Sequence, residues 1–264
     1  MTLSTAKLQD YFLWTLLVAF GGAAVGEIVT SNSSPNLDTV TILLAATASV
    51  AALARQLPLT SVLFAALVTA LIGGAAHGLS AQRDIAMPFG PVVFNPTAGP
   101  QLFGTVPWMV PLLWVIAIFN SRGVARLVLR PWRKVKNYGF QLLGLSAALA
   151  VAFDFALEPF AAGAKHLWRW QPTKIPLTWH GASPMNYFGW AAVALLILAF
   201  VMPYLIRKQP GNPSTPDFAP LVLWLGAGVV FAAGAVVAGL WLAVVVDVAL
   251  AGTVAVFAWR GVKW

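Results

Sequence analysis

The chain has 264 residues, is 59% hydrophobic and only 9% charged, and contains no cysteine. A soluble domain carries about 25% charged residues, so this composition, with a mean hydropathy of +0.81, describes a polytopic membrane protein. Lack of cysteine excludes disulfides, thiolate metal sites and cysteine nucleophiles; the net charge of +8 invites a nucleic-acid reading that its distribution removes.

A membrane span needs about 20 apolar residues. Tyr11–Val29 is the first, with Glu27 near its far end. Lys7 is the only early cation and no clear small-residue cleavage site follows, so the first helix is expected to be retained. After the polar loop Thr30–Asp38 come a short second span, Val40–Ala54, and a third, Leu59–Leu79, with His77 in its last turn. A Pro- and Gly-rich connection, Ser80–Gln101, leads to a fourth span expected at Leu102–Phe119, with Pro107 and Pro111 inside it and tending to kink it. Tyr138–Leu157 and Tyr187–Ile206 are the fifth and sixth. Phe218–Trp259 is twice the length of one span, with a turn between Gly234 and Gly239. The expected fold is an all-α membrane helix bundle of about eight spans, or seven if the second is re-entrant, in one integral membrane domain over residues 1–264.

The cations test this count. With the N-terminus cytoplasmic, the inner segments hold Lys7, Arg55, Arg122, Arg126, Arg130, Arg133, Lys134, Lys136, Arg207, Lys208, Arg260 and Lys263, which is 12 of 16. The outer segments hold Arg83, Lys165, Arg169 and Lys174. This bias predicts eight spans in the cytoplasmic membrane, with both termini on the cytoplasmic side. It also makes the basic run 122–136 a topology determinant lying against anionic lipid, with no nucleic-acid partner.

Between Phe153 and Trp190 the chain reads FDFALEPFAAGAKHLWRWQPTKIPLTWHGASPMNYFGW. This stretch holds two of the eight carboxylates, two of the three histidines and four of the twelve tryptophans. Asp154 and Glu158 are four apart and share one helix face. A carboxylate inside an apolar span is expensive and usually has a purpose. Pro159 ends the helix regularity just beyond Glu158. Under the predicted topology Glu27, His77, Asp154, Glu158, Asn186 and Trp190 fall near the outer end of the bundle. The connections Ser80–Gln101 and Pro159–Met185 cap that end with Trp168, Trp170, Trp179, His166 and His180. Polar residues under an aromatic lid suit a site that works on a lipid-soluble molecule; an interfacial aromatic belt explains the tryptophans equally. Asp247, in the middle of the last span, reads either as a proton site or as a hydrogen-bonded group joining helices.

The sequence lacks a phosphate loop, an HExxH zinc pair, a GxSxG nucleophile turn and a strand-linked GxGxxG. Its histidines are too scattered for a di-iron centre, and no repeat between residues 1–130 and 131–264 supports a transporter. Acid–base chemistry or ligand binding remains.

FDFALEPFAAGAKHLWRW followed by SPMNYFGW resembles the carotenoid biosynthesis membrane proteins of the CruF type, the carotenoid 1,2-hydratases. Asp154, Glu158-Pro159, Trp168, Trp170, Asn186, Gly189 and Trp190 match that family's pattern. A second match is Pro88–Gly90 followed by GTVPWMVPLLWV from Gly104 to Val115, which brings in Trp108. The resemblance covers roughly residues 75–190. Two departures stand beside it: His77 and Asp84 precede the FG element where the family has an acid, and PVVFNPTAGP follows it without tyrosine.

The resemblance implies addition of water across the terminal 1,2 double bond of a linear ψ end group. Protonation at C2 leaves a tertiary cation at C1. A general acid must keep its proton near neutral pH, which burial beside a second carboxylate favours. Asp154 with Glu158 fits that task, with His77 or His166 as a further base. Trp168, Trp170, Trp190, Trp108, Asn186 and Glu27 are the expected substrate-binding residues, their aromatic faces stabilising the cation. No metal, nucleotide or other cofactor is expected. The expected partners are a carotenoid or another long apolar lipid, together with membrane lipids. The competing reading is a carotenoid- or lipid-binding membrane subunit without catalysis.

Overall fold

A computed structural model describes residues 5–30, 35–206 and 216–263. Of the inner cations, Arg207 and Lys208 lie outside the described residues, as does the side chain of Glu27. The helices are α1 (Thr5–Val29), α2 (Pro35–Ala54), α3 (Leu59–Ala81), α4 (Met109–Val128), α5 (Tyr138–Glu158), α6 (Pro184–Val201), α7 (Ala219–Val237) and α8 (Trp241–Val262). All eight are long and apolar enough to cross a membrane. The second span is therefore a full helix of 20 residues rather than a re-entrant segment.

Lipid and protein core are both apolar, so hydrophobicity does not mark which stripe of a helix is buried. Small residues do, because they let backbones approach. On α2 the buried stripe is Ala45, Ala48, Ser49 and Ala52. Asn120 on α4 donates a hydrogen bond of 2.9 Å to Ser49 Oγ across this face. α4 is the axis of the bundle, packing on α2, α3, α5, α7 and α8. Within its span 78% of residues are buried, against 22% for α1 and α8.

The fourth span differs from its expected limits. Val106–Pro107 is a short strand, β3, paired with β2 (Gln101–Leu102), and the helix begins only at Met109. Pro111 then falls in the first turn, where its missing N–H has no partner to lose and no kink results. At the other end α4 runs on through Asn120, Ser121 and Arg122, all buried by neighbouring helices. Polarity suggested an end there; tertiary packing overrides it.

The two outer connections also contain backbone pairing that the all-α reading omits. β1 (Val92–Phe94) pairs antiparallel with β4 (Trp168–Trp170), setting Val92 against Trp170 and Phe94 against Trp168. An ion pair of 2.6 Å between Lys165 and Asp38 fastens the start of the second connection to α2. At the opposite end Arg55 bridges Asp10 at 2.8 Å and Asp217 at 2.7 Å, joining α1, α2 and the approach to α7.

Candidate functional site

α5 carries the two carboxylates one turn apart, and both side chains are 1% exposed. Pro159 begins a single π-helical turn, Pro159–Ala164. Having no N–H, Pro159 leaves the Phe155 carbonyl without its helical donor. Trp179 Nε1 donates to that carbonyl at 3.0 Å, and its ring stacks on Phe155 with centroids 4.8 Å apart. A helix break beside Glu158 is thus closed by a lid residue.

β4 alternates, so Trp168 and Trp170 face one way and Arg169 the other. Trp168 is buried and Trp170 half-buried, while Arg169 is exposed. Both indoles reach Glu158 Oε2, Trp170 Nε1 at 2.8 Å and Trp168 Nε1 at 3.3 Å. Asn186, in the first turn of α6 and 0% exposed, donates from Nδ2 to Asp154 Oδ2 at 2.6 Å. Asp154 Oδ1 and Glu158 Oε1 accept no hydrogen bond from the described residues.

Trp190 follows Asn186 by one turn and stacks on Trp114 of α4 with centroids 3.8 Å apart. Trp114 Nε1 donates to His77 Nδ1 at 3.2 Å. The same nitrogen lies 3.3 Å from the Gly73 carbonyl oxygen, so an indole N–H, which only donates, and a carbonyl, which only accepts, meet at one ring atom. His77 also lies 4.3 Å from the Phe89 ring and 6.1 Å from Phe94, itself 6.1 Å from Trp168. The contacts close a circuit: His77, Phe94, Trp168, Glu158, Asp154, Asn186, Trp190 and back to His77, 6.2 Å from Trp190. α3, β1, β4, α5 and α6 each supply a member.

Two glycines make the circuit close. A Cβ on Gly189 would lie 2.6 Å from the Pro88 carbonyl oxygen and 2.7 Å from Phe89, so the Pro88–Gly90 element can seat on α6 only over a glycine. A Cβ on Gly73 would lie 2.2 Å from the Trp114 ring. Phe89 is held in place by its N–H, which donates to Ser80 Oγ at 3.0 Å.

Outside β1 and β4 lies a groove of about 580 Å³, lined by Phe94, Asn95, His166, Trp168, Trp170 and His180 among others. On the flank of α5 a narrow apolar crevice of about 60 Å³ is lined by Phe153, Leu157 and Phe160 with residues of α1, α2, α4 and α7. At the start of α6, Asn186 Oδ1, Tyr187 Oη and Trp190 Nε1 are buried without a hydrogen-bond partner among the described residues. Tyr187 is also within electrostatic reach of Asp154 and Glu158. Among the described residues no group of three or more His, Asp or Glu could hold a metal ion.

Not every expected residue joins this group. Trp108 caps α4 at the far side of β2–β3, where a Cβ on Gly99 would lie 3.1 Å from its Nε1, and it makes no ring contact with the circuit among the described residues. Asp84 and His166 are exposed. His77 makes no hydrogen bond to either acid among the described residues and reaches them only through intervening side chains, Phe94 and Trp168 on one side and Trp190 and Asn186 on the other. Glu27 belongs to the last turn of α1, and its side chain is not among the described ones. Asp247 is buried, and neither of its oxygens takes a hydrogen bond from the described residues, so it does not join helices that way. Trp114, Phe89 and Tyr187 went unselected in the sequence; the Gly73-Gly74 pair one turn before His77 was the available sign that a large ring packs there.

No curated protein and no solved structure shows a significant match to the chain. A family model described as carotenoid biosynthesis protein matches residues 37–254, from α2 into α8 and across every member of the circuit, and the chain belongs to that family.

Proposed function

We propose that the protein hydrates the terminal 1,2 double bond of a linear carotenoid, of the γ-carotene or lycopene type, with Asp154 and Glu158 as the acid–base pair. The observation that carries this reading is the pair itself: two carboxylates one turn apart, both fully enclosed, each held by side-chain N–H donors. Glu158 takes two donors and Asp154 one. Donors to an oxyanion favour the charged form, so Glu158 is the ionised partner and Asp154 carries the proton.

In the proposed reaction Asp154 gives its proton to C2, and the π electrons of the 1,2 bond form the new C–H bond. C1 is left as a tertiary cation. The faces of Trp168, Trp190 and Phe94 stabilise it without bonding to it. The oxygen of a water molecule attacks C1, and Glu158 takes the proton released. Passing that proton to Asp154, one turn away, restores the starting state. The sum is one water added and nothing oxidised. Asn186 Oδ1, Tyr187 Oη and Trp190 Nε1 are the groups available to orient water. The substrate is a long apolar lipid entering from the bilayer, and the groove beside Trp168 and Trp170 receives its end. The protein sits in the cytoplasmic membrane with both termini cytoplasmic, as the cation distribution requires.

A second reading, a carotenoid- or lipid-binding subunit without catalysis, draws on a specific observation. Neither Asp154 nor Glu158 lines the groove; the two indoles stand between it and the acids. Expression in cells that accumulate lycopene or γ-carotene separates the two. A pigment that gains the mass of one water establishes the hydratase. Unchanged pigment that co-purifies with the protein establishes the binder.

A further inference from the structure

At the end of the bundle opposite the carboxylates, Arg126, Arg130, Arg133 and Tyr138 line a pocket of about 100 Å³ with Gln56 and Asp217. Arg126 and Arg130 are half-buried and Arg133 is exposed. The pocket's carboxylate is already satisfied. Asp217 Oδ1 accepts from Arg55 Nη2 at 2.7 Å and from the Ala219 N–H at 3.1 Å, and Oδ2 accepts from Gln56 Nε2 at 2.7 Å. Gln56 Oε1 in turn accepts from Arg126 Nη1 at 3.3 Å. No carboxylate pairs with Arg126, Arg130 or Arg133 among the described residues.

Arg122 adds an independent observation. It lies one turn before Arg126 and is 2% exposed. Its Nη2 donates to the Leu205 carbonyl and its Nε reaches Met202 Sδ at 3.3 Å, but Nη1 has no partner among the described residues. It interacts electrostatically with Arg126 and Tyr138, both on the pocket wall. A buried guanidinium without a counter-charge is costly. Here one lies a turn from Arg126, and neither it nor the three pocket arginines pairs with an acid among the described residues.

We propose that this pocket is an anion site for a phosphate group, either the headgroup of an acidic membrane phospholipid or a soluble phosphate compound. Planar guanidinium forks match phosphate oxygens two at a time. Gly123 and Pro220 line the same pocket and keep its floor free of long side chains. The pocket lies among the basic residues that follow α4, at one end of the apolar helices, and basic pockets between membrane helices bind acidic headgroups. This site is separate from the acid–base pair and does not depend on the hydratase reading.

The test uses the full chain, purified in mild detergent. Native mass spectrometry with equimolar phosphatidylglycerol and phosphatidylcholine measures lipid retention. Thermal unfolding with inorganic phosphate, against chloride at equal ionic strength, measures binding of the free anion. The comparison variant is R126K/R130K/R133K, which keeps the charge that sets topology but loses the forked geometry. Phosphatidylglycerol retained about tenfold over phosphatidylcholine, and lost to a similar factor in the variant, supports the lipid source. A shift of the unfolding midpoint by inorganic phosphate alone, absent in the variant, supports the soluble source. Equal retention of both lipids with no phosphate shift overturns the site, as does any effect that the variant preserves in full.

Discussion

Asp154→Asn separates chemistry from structure more cleanly than any other change to this protein. The amide is isosteric with the acid, and its oxygen still accepts the 2.6 Å bond from Asn186 Nδ2. Its new N–H₂ takes the place of Oδ1, which accepts no hydrogen bond from the described residues. Folding and insertion are therefore expected to match the unaltered protein, with an unfolding midpoint in detergent within error. What is lost is the transferable proton. A positioned general acid contributes about 10²–10⁴-fold, equivalent to about 3–5 kcal/mol of barrier. No second buried acid stands at the same place to replace it, since Glu158 Oε2 is occupied by two indoles. The assay is conversion of γ-carotene or lycopene to the hydrated pigment, followed by chromatography and mass in cells expressing equal amounts of each protein. Loss of conversion with an unchanged midpoint is the expected result. If the variant converts pigment at a near-normal rate, Asp154 is a structural group and the proton comes from elsewhere, with Asp247 the next buried acid to test.

Trp170→Phe should slow hydration more than Trp168→Phe, because the bond to Glu158 is 2.8 Å in one and 3.3 Å in the other; a hydrogen bond to a charged group is worth about 1.5–3 kcal/mol, and equal losses in initial rate would count against Glu158 as the ionised partner. Glu158→Gln should reduce conversion by about 10²-fold or more without loss of pigment binding, and a silent substitution would remove the residue from the mechanism. Gly189→Ala should lower stability by about 1–3 kcal/mol, the usual cost of overpacking, since its Cβ would stand 2.6 Å from the Pro88 carbonyl oxygen; an unchanged unfolding midpoint would show that the Pro88–Gly90 element does not seat there. Reporter fusions after residue 136 should read cytoplasmic, and an external signal would reverse the topology.

The number of helices was legible because lipid imposes a length that composition reveals directly. Their limits were less so. The fourth span was displaced because Gly104 and Pro107 belong to a hairpin and Arg122 is buried inside the bundle, and neither fact is local in sequence. The placement of Asp154 beside Asn186 followed from rarity: few polar groups occupy these spans, and each needs a partner. Trp168 and Trp170 were ambiguous for a related reason. A tryptophan at a membrane boundary has the same composition whether it lines an interfacial belt or donates to a buried acid. Only the pairing of β1 with β4, between segments some seventy residues apart, turns both indoles inward. Trp108 stands apart from the circuit because a matched motif does not distinguish residues that touch one another from those that pack the loops around them.

The choice of donors around the acids carries its own argument. A tertiary cation reacts with any nucleophile within reach, so groups that stabilise charge near it must not hold an available lone pair. An indole N–H donates and cannot accept, and its ring face attracts a cation without bonding to it. Trp168 and Trp170 therefore serve Glu158 with their edges while offering only carbon surface elsewhere. A tyrosine hydroxyl donating to Glu158 would also carry an oxygen lone pair that competes with water for the cation. Trp114 Nε1 likewise donates to His77 Nδ1, at 3.2 Å, and brings no lone pair with it. On the proposed reading, the indoles stabilise charge at the site without adding a nucleophile that competes with water. Substituting Trp168 by Tyr would test this directly, since it restores a hydrogen-bond donor but adds an oxygen lone pair. Hydration should then fall while binding of the pigment persists. A variant as active as the unaltered protein would show that nucleophile exclusion has no part in the reaction.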